Sequence, residues 1–179
     1  LVNSVEGQSY FWVSNNFIWG WLLIPIIALG DLIKKEIGEN KIALKKVINF
    51  SIIVTTVIIL IWLTTVPLWN SFFKNVMNIS NPEIVLKITI TALIFYIAFA
   101  YNNIIDSVFY GYGRTDLMLI QSILINIVYY GIIYLIFKQI DIQITLNIIV
   151  TIFGLGILFD SILTFGIYKY NLNKNSLIK

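Results

Sequence analysis

Residues 47–69 read VINFSIIVTTVIILIWLTTVPLW, without one charged side chain. About 20 consecutive apolar residues carry an α-helix across a ~30 Å hydrocarbon core, and this stretch is long enough. Four more flank it: Tyr10–Ile33 before it, then Ile84–Tyr110, Leu117–Phe137 and Ile144–Tyr168. Lipid offers the backbone no hydrogen bonds, so helices are the economical open-ended way to satisfy it. The fold read from the sequence is all-α: a polytopic transmembrane bundle of about five helices. Residues 1–170 form a single bundle and 171–179 a short cytoplasmic tail.

Composition narrows the function. Hydrophobic residues make up 59% of the chain and charged residues 12%, against roughly 25% charged in soluble domains. A soluble fold of this length could not hide so much apolar surface. The basic balance does not point to nucleic acid, because Arg114 is the sole arginine and the lysines lie in loops. The chain has no cysteine and no histidine. Disulfides, Cys/His metal sites and Cys or His catalysis are therefore excluded. No nucleophile–base pair or phosphate loop is present, and no enzyme activity or cofactor is expected. The sequence opens with Leu1 and lacks a basic leader region, so no signal peptide is read, and a fragment or a processed form is expected.

Loop charge gives an orientation. Lys34, Lys35, Lys41, Lys45, Lys46, Arg114, Lys169, Lys174 and Lys179 fall on one side of alternating spans; Lys74, Lys87 and Lys138 fall on the other. The positive-inside rule puts the first group in the cytoplasm, with the N-terminus outside and the C-terminus inside. Trp12, Trp19, Trp21, Trp62 and Trp69 all lie toward the outer ends of the first two spans, where an aromatic belt is expected. Asn15 and Asn16 interrupt the first span and Pro25 should kink it. Asn81-Pro82-Glu83 reads as a capped helix start, and Gly111-Tyr112-Gly113 as a turn tolerant of positive φ.

The segment Tyr110-Gly111-Tyr112-Gly113-Arg114-Thr115-Asp116 resembles the cytoplasmic loop between the fourth and fifth helices of the multidrug and toxic compound extrusion (MATE) family. Gly38–Ala43 resembles the pattern after that family's second helix, and Asn81-Pro82-Glu83 falls where its fourth helix begins. The resemblance spans helices two to six of one six-helix half and implies a partial secondary transporter in the plasma membrane. It implies multidrug efflux: an organic cation leaves by antiport with a proton or sodium ion as two bundles rock about a central cavity. The family's best-known carboxylates lie on a first helix that has no counterpart here. Completion requires a second transporter half or self-association. The alternatives are a flippase for lipid-linked sugars from the same superfamily, and a non-transporting assembly subunit. The acidic character of the intramembrane charges favours cations.

Intramembrane polar groups supply the candidate ion and substrate site. An aspartate at the centre of a span costs about 2.5–3.5 kcal/mol on insertion scales, so Asp160 needs a partner or a water-filled cavity. It is either a coupling site or an acid paired with Lys169. Asn102, Asn103 and Asp106 are three and four residues apart and should share a face. They offer oxygens to a small cation, unless Asp106 merely clasps Arg114 across the glycine turn. Gln121, Asn126, Tyr129 and Tyr130 mark the fourth span, and Asn126 and Tyr130 share a face of it, as cavity lining or as ordinary interhelical contacts. Pro25, Gly111 and Gly113 are the hinge and turn candidates, beside Gly154 and Gly156. Asp160 is expected to couple ion movement, and Asp106, with Arg114 near, to shape the turn.

Overall fold

The computed structural model describes residues 5–39, 44–139 and 145–173. Lys41, the Asn40–Ala43 part of the family-like segment, and residues 174–179 of the expected tail lie outside them. The described chain is all-helical. In order it runs α1 (Val5–Phe17), a π-helical turn (Ile18–Leu22), α2 (Ile24–Glu39), α3 (Leu44–Asn75), α4 (Pro82–Gly111), α5 (Thr115–Leu124), a second π-helical turn (Ile125–Tyr130), α6 (Gly131–Gln139) and α7 (Leu146–Asn173). Four helical runs are long and apolar enough to cross a membrane: Leu44–Asn75, Pro82–Gly111, Thr115–Gln139 and Leu146–Leu172. A fifth arises if Gly7–Leu22 and Ile24–Glu39, bent by 48° at Leu23, form one span. By helix length and hydropathy this is an integral membrane protein.

The bend has a backbone cause at Pro25. Proline has no N–H, so the Trp21 carbonyl loses its usual helical donor. The chain widens before that point, and the Leu23 N–H bonds Ile18 O, five residues back, at 2.9 Å. The ladder restarts when the Ile27 N–H reaches Leu23 O at 2.8 Å. Asn15 and Asn16, expected to interrupt the span, lie inside α1 instead. The second π-helical turn has a related cause. Asn126 Nδ2 donates to Ser122 O at 2.8 Å, the carbonyl that the α-helical ladder would offer to the Asn126 N–H.

Helix α4 is the hub. It packs against α1, α2, α3, α5 and α7, burying Val85, Ile88, Leu93, Tyr96, Ile104 and Val108. At one end Phe17 sits in edge contact with Trp69 and Phe73, ring centres 5.2 and 4.9 Å apart. At the other, Leu29, Ile33 and Ile37 of α2 close on Ile104 and Val108. Small residues allow near approach at the crossings. A Cβ on Gly30 would strike Asn103 and Ser107, and one on Gly154 would strike the Phe95 ring. The outward faces stay apolar, with Ile94 67% and Ile162 69% exposed. That surface suits lipid and would be a liability in water.

Among the described residues the basic segments gather at one end. Lys34 Nζ lies 5.2 Å from the centre of the Tyr110 ring, and Gly111 packs against Ile37. Tyr168, next to Lys169, meets Phe109. The turn after α4 closes as expected for a glycine in the left-handed region. Gly113 has φ +69°, its N–H bonds Tyr110 O at 2.9 Å, and the Arg114 N–H bonds Phe109 O at 2.8 Å. Those two bonds satisfy carbonyls that a helix end otherwise leaves open. The other end of α4 differs from expectation. Pro82 does open the helix, but Asn81 makes no side-chain cap; its Nδ2 donates to Tyr10 Oη at 2.7 Å, tying α4 to α1. The tryptophans also divide. Trp12 and Trp21 are exposed, whereas Trp62 and Trp69 are buried in the bundle.

Candidate functional site

Where the C-terminal third of α4 crosses α7, polar groups meet between apolar helices. Asn102 and Asp106 are one turn apart on α4, and Asp160 and Thr164 one turn apart on α7, so each pair shares a face. Asn102 Nδ2 donates to Asp106 Oδ2 at 3.1 Å and to Asp160 Oδ2 at 3.0 Å. One amide thus bridges two carboxylates from different helices. Thr164 Oγ1 donates to Asp106 Oδ1 at 3.4 Å. From α5, Gln121 Nε2 donates to Asp160 Oδ1 in a close contact. Asn102, Gln121 and Thr164 are buried, and both acids are half-buried.

The charge balance is the unusual feature. Among the described residues the ion pairs are Lys34–Asp31 and Arg114–Asp116, and neither Asp106 nor Asp160 has a basic partner. Two carboxylates sharing a low-dielectric site cannot both stay ionised cheaply. Neutral N–H and O–H donors lower the cost without cancelling the charge. Such a pair has a standing demand for a proton or a small cation. Gln121 adds a second sign of incompleteness, since its Oε1 is buried without a hydrogen-bond partner.

Further along the α4–α7 seam a narrow cleft of about 10 Å³, room for a single water, opens between α1, α4 and α7. Phe11, Asn15, Phe95, Tyr96 and Phe153 line it, and Ile157 lies at the side toward Asp160, three residues away in α7. Its polar corner is a relay: Trp19 Nε1 donates to Tyr96 Oη at 2.9 Å, and Tyr96 Oη donates to Asn15 Oδ1 at 3.0 Å. Ser14 Oγ, also on this wall, donates to Val85 O at 3.1 Å.

Three of the candidates read from the sequence, Asp160, Asp106 and Asn102, come together. The others do not join them. Asn103 turns to α2 and donates to Ile26 O at 3.0 Å, because neighbouring residues on a helix point about 100° apart. Asn126 is exposed and bonds within its own helix. Tyr130 packs beside Gly156 of α7, where an added Cβ would sit 2.7 Å from its hydroxyl. Pro25, Gly111 and Gly113 serve the bend, the α2–α4 contact and the turn described above. The Asp106–Arg114 clasp is not formed. Arg114 instead grips Asp116 with two bonds of 2.9 Å, Nε to Oδ1 and Nη2 to Oδ2. The Asp116 carboxylate raises the Arg114 pKa above its ordinary value through that bond. Asp116 is the nearer acid in sequence and sits at the α5 N-terminus, where negative charge is favoured.

Thr164 was not among the sequence candidates, and Gln121 was read only as a polar mark on the fourth span. Thr164 was accessible in principle, four residues after Asp160. Gln121 was not, because its role depends on how α5 is rotated against α7. Compared with protein-family models, curated proteins and solved structures, the chain matches none.

Removal of the Gln121 amide leaves Asp160 Oδ1 without its donor. Gln121→Leu should therefore destabilise the lipid-embedded protein by about 1–3 kcal/mol. Asn126→Leu, at an exposed position, should stay within about 0.5 kcal/mol. Equilibrium unfolding of both variants in the same bilayer mimic checks the order, and equal losses would contradict the assignment.

Proposed function

We propose that this chain is a partial MATE-like secondary transporter, five helices of one half, that exchanges an organic cation for protons or sodium. The carrying observation is the half-buried carboxylate pair Asp106–Asp160, bridged by Asn102 and lacking a basic partner. Intramembrane acids facing the bundle interior are expensive and mark ion pathways. The pair binds the coupling ion. The cleft between α1, α4 and α7, about 10 Å³ in this conformation, must widen to admit the apolar part of the cargo, and its aromatic rings suit a cation. The two sites share one helix seam, so occupancy of one alters the packing of the other. A phosphate-bearing cargo would instead require basic groups in the seam, which disfavours the flippase reading. The glycine turn and its Arg114–Asp116 clasp are formed by the residues on which the family resemblance was read.

The basic end of the bundle faces the cytoplasm in this proposal. The chain has no cysteine, so single cysteines report orientation cleanly. With Lys45→Cys and Asn75→Cys near the two ends of α3, an impermeant thiol reagent outside intact cells should label position 75 and spare 45. The reverse pattern contradicts the orientation.

A single five-helix unit does not enclose a transport cavity, so activity belongs to an assembled species detectable by crosslinking. In vesicles carrying that species, a proton or sodium gradient should drive efflux of a lipophilic cationic dye. Asp160→Asn and Asp106→Asn should each reduce it to the level of protein-free vesicles with the protein still present. Because Arg114 belongs to Asp116, Arg114→Gln should not reproduce the Asp106→Asn loss. Normal gradient-driven efflux in both aspartate variants would reject the pair as the coupling site.

A further inference from the structure

The donors around the two acids treat them unequally, and the inference below rests on the coupling role proposed for the pair. Asp160 accepts at both oxygens, from Asn102 Nδ2 and from Gln121 Nε2. An amide N–H₂ cannot accept a hydrogen bond, so a proton on Asp160 has no acceptor in this arrangement. Asp106 is different. Its Oδ2 accepts from Asn102 and the Gln121 side chain reaches it as well as Asp160, but its Oδ1 faces the Thr164 hydroxyl at 3.4 Å, and a hydroxyl both donates and accepts. Asp106 Oδ1–H can therefore donate to Thr164 Oγ1, whose own hydrogen turns to the carbonyl one turn back, an ordinary habit of helical threonines.

Gln121 supplies the complementary observation. Its buried Oε1 has no partner, although it belongs to the amide that grips Asp160. A half-turn of that amide puts an acceptor where a donor now stands. Thr164 and Gln121 thus flank the two acids as reversible partners, with Asn102 as the fixed donor between them. From the second π-helical turn the titratable neighbour is the Tyr130 phenol, whose charge interaction is with Asp160. Helix α2 meets α4 near Asn103 through Gly30, which brings no charge. Among the described residues no lysine or arginine pairs with either acid.

We propose that the pair holds one proton, resting on Asp106 Oδ1 with Thr164 as its acceptor, and passes it to Asp160 Oδ1 when Gln121 turns its oxygen inward. In that step the O–H bond of Asp106 breaks and an O–H bond forms on Asp160. The negative charge moves the opposite way, from Asp160 to Asp106, and nothing is oxidised or reduced.

Infrared difference spectroscopy of the chain in lipid vesicles, titrated with acid, reads the protonated-carboxyl C=O band directly. The band should be present in the unmodified protein, lost in Asp106→Asn and kept in Asp160→Asn. Thr164→Val leaves both acids in place and removes the acceptor, so the band should move to higher frequency. A band lost in Asp160→Asn and kept in Asp106→Asn overturns the assignment, as does a band that Thr164→Val leaves unmoved. Absence of any such band while a sodium gradient drives dye efflux overturns the one-proton pair and leaves the coupling reading standing. Efflux indifferent to both gradients and to both aspartates defeats the coupling reading itself.

Discussion

Two carboxyl groups are held inside an apolar bundle by neutral donors, with one amide shared between them, and the packing around α4 follows from accommodating them. Asn102 reaches Asp106 on its own helix and Asp160 on α7. Gln121 holds Asp160 from α5. Three helices are thereby fixed in rotation where lipid supplies no hydrophobic force to do so, leaving packing and hydrogen bonds to set the arrangement. The bonds lower the cost of burying the acids without neutralising them. A structural clasp would have ended with a basic partner, as Arg114 and Asp116 do just beyond the C-terminal end of the same helix.

Around that centre the bundle combines tight and yielding regions. Gly30 on α2 and Gly154 on α7 bring backbones close to α4, while the Schellman-type turn at Gly113 fixes the end of the helix. The yielding places are the two π-helical turns. One lies before Pro25 at the 48° bend. The other carries Tyr129 and Tyr130 against α7, with Tyr129 Oη bonded to Ile152 O at 2.6 Å. π-Helical turns inside membrane helices often mark functional positions. Here both sit on elements that border either the cleft or the acid pair.

The spans were legible in the sequence because their signal is cumulative: long apolar stretches separated by charged loops leave little freedom. The helix-breaking role of Pro25 was legible too, since a missing N–H acts locally. The π-helical form of the adjustment was not, because it depends on which carbonyls the neighbouring residues capture. Asn102 and Asp106 were readable from their four-residue spacing. Asn103 was misplaced because adjacency along a helix is not adjacency on its face. The union of Asp106 with Asp160 was beyond the sequence, since it depends on which helices neighbour and how they are rotated. Asn81 illustrates the same limit, with its capping pattern intact and its amide spent on Tyr10.

The most direct test of the central claim is solid-state NMR on the chain in lipid bilayers, with aspartate labelled in ¹³C and asparagine and arginine side chains in ¹⁵N. The account predicts through-space correlations from the Asn102 side-chain nitrogen to the carboxyl carbons of both Asp106 and Asp160, and from the Arg114 guanidinium to Asp116 alone. A correlation between Arg114 and Asp106, with none joining Asn102 to Asp160, would contradict it.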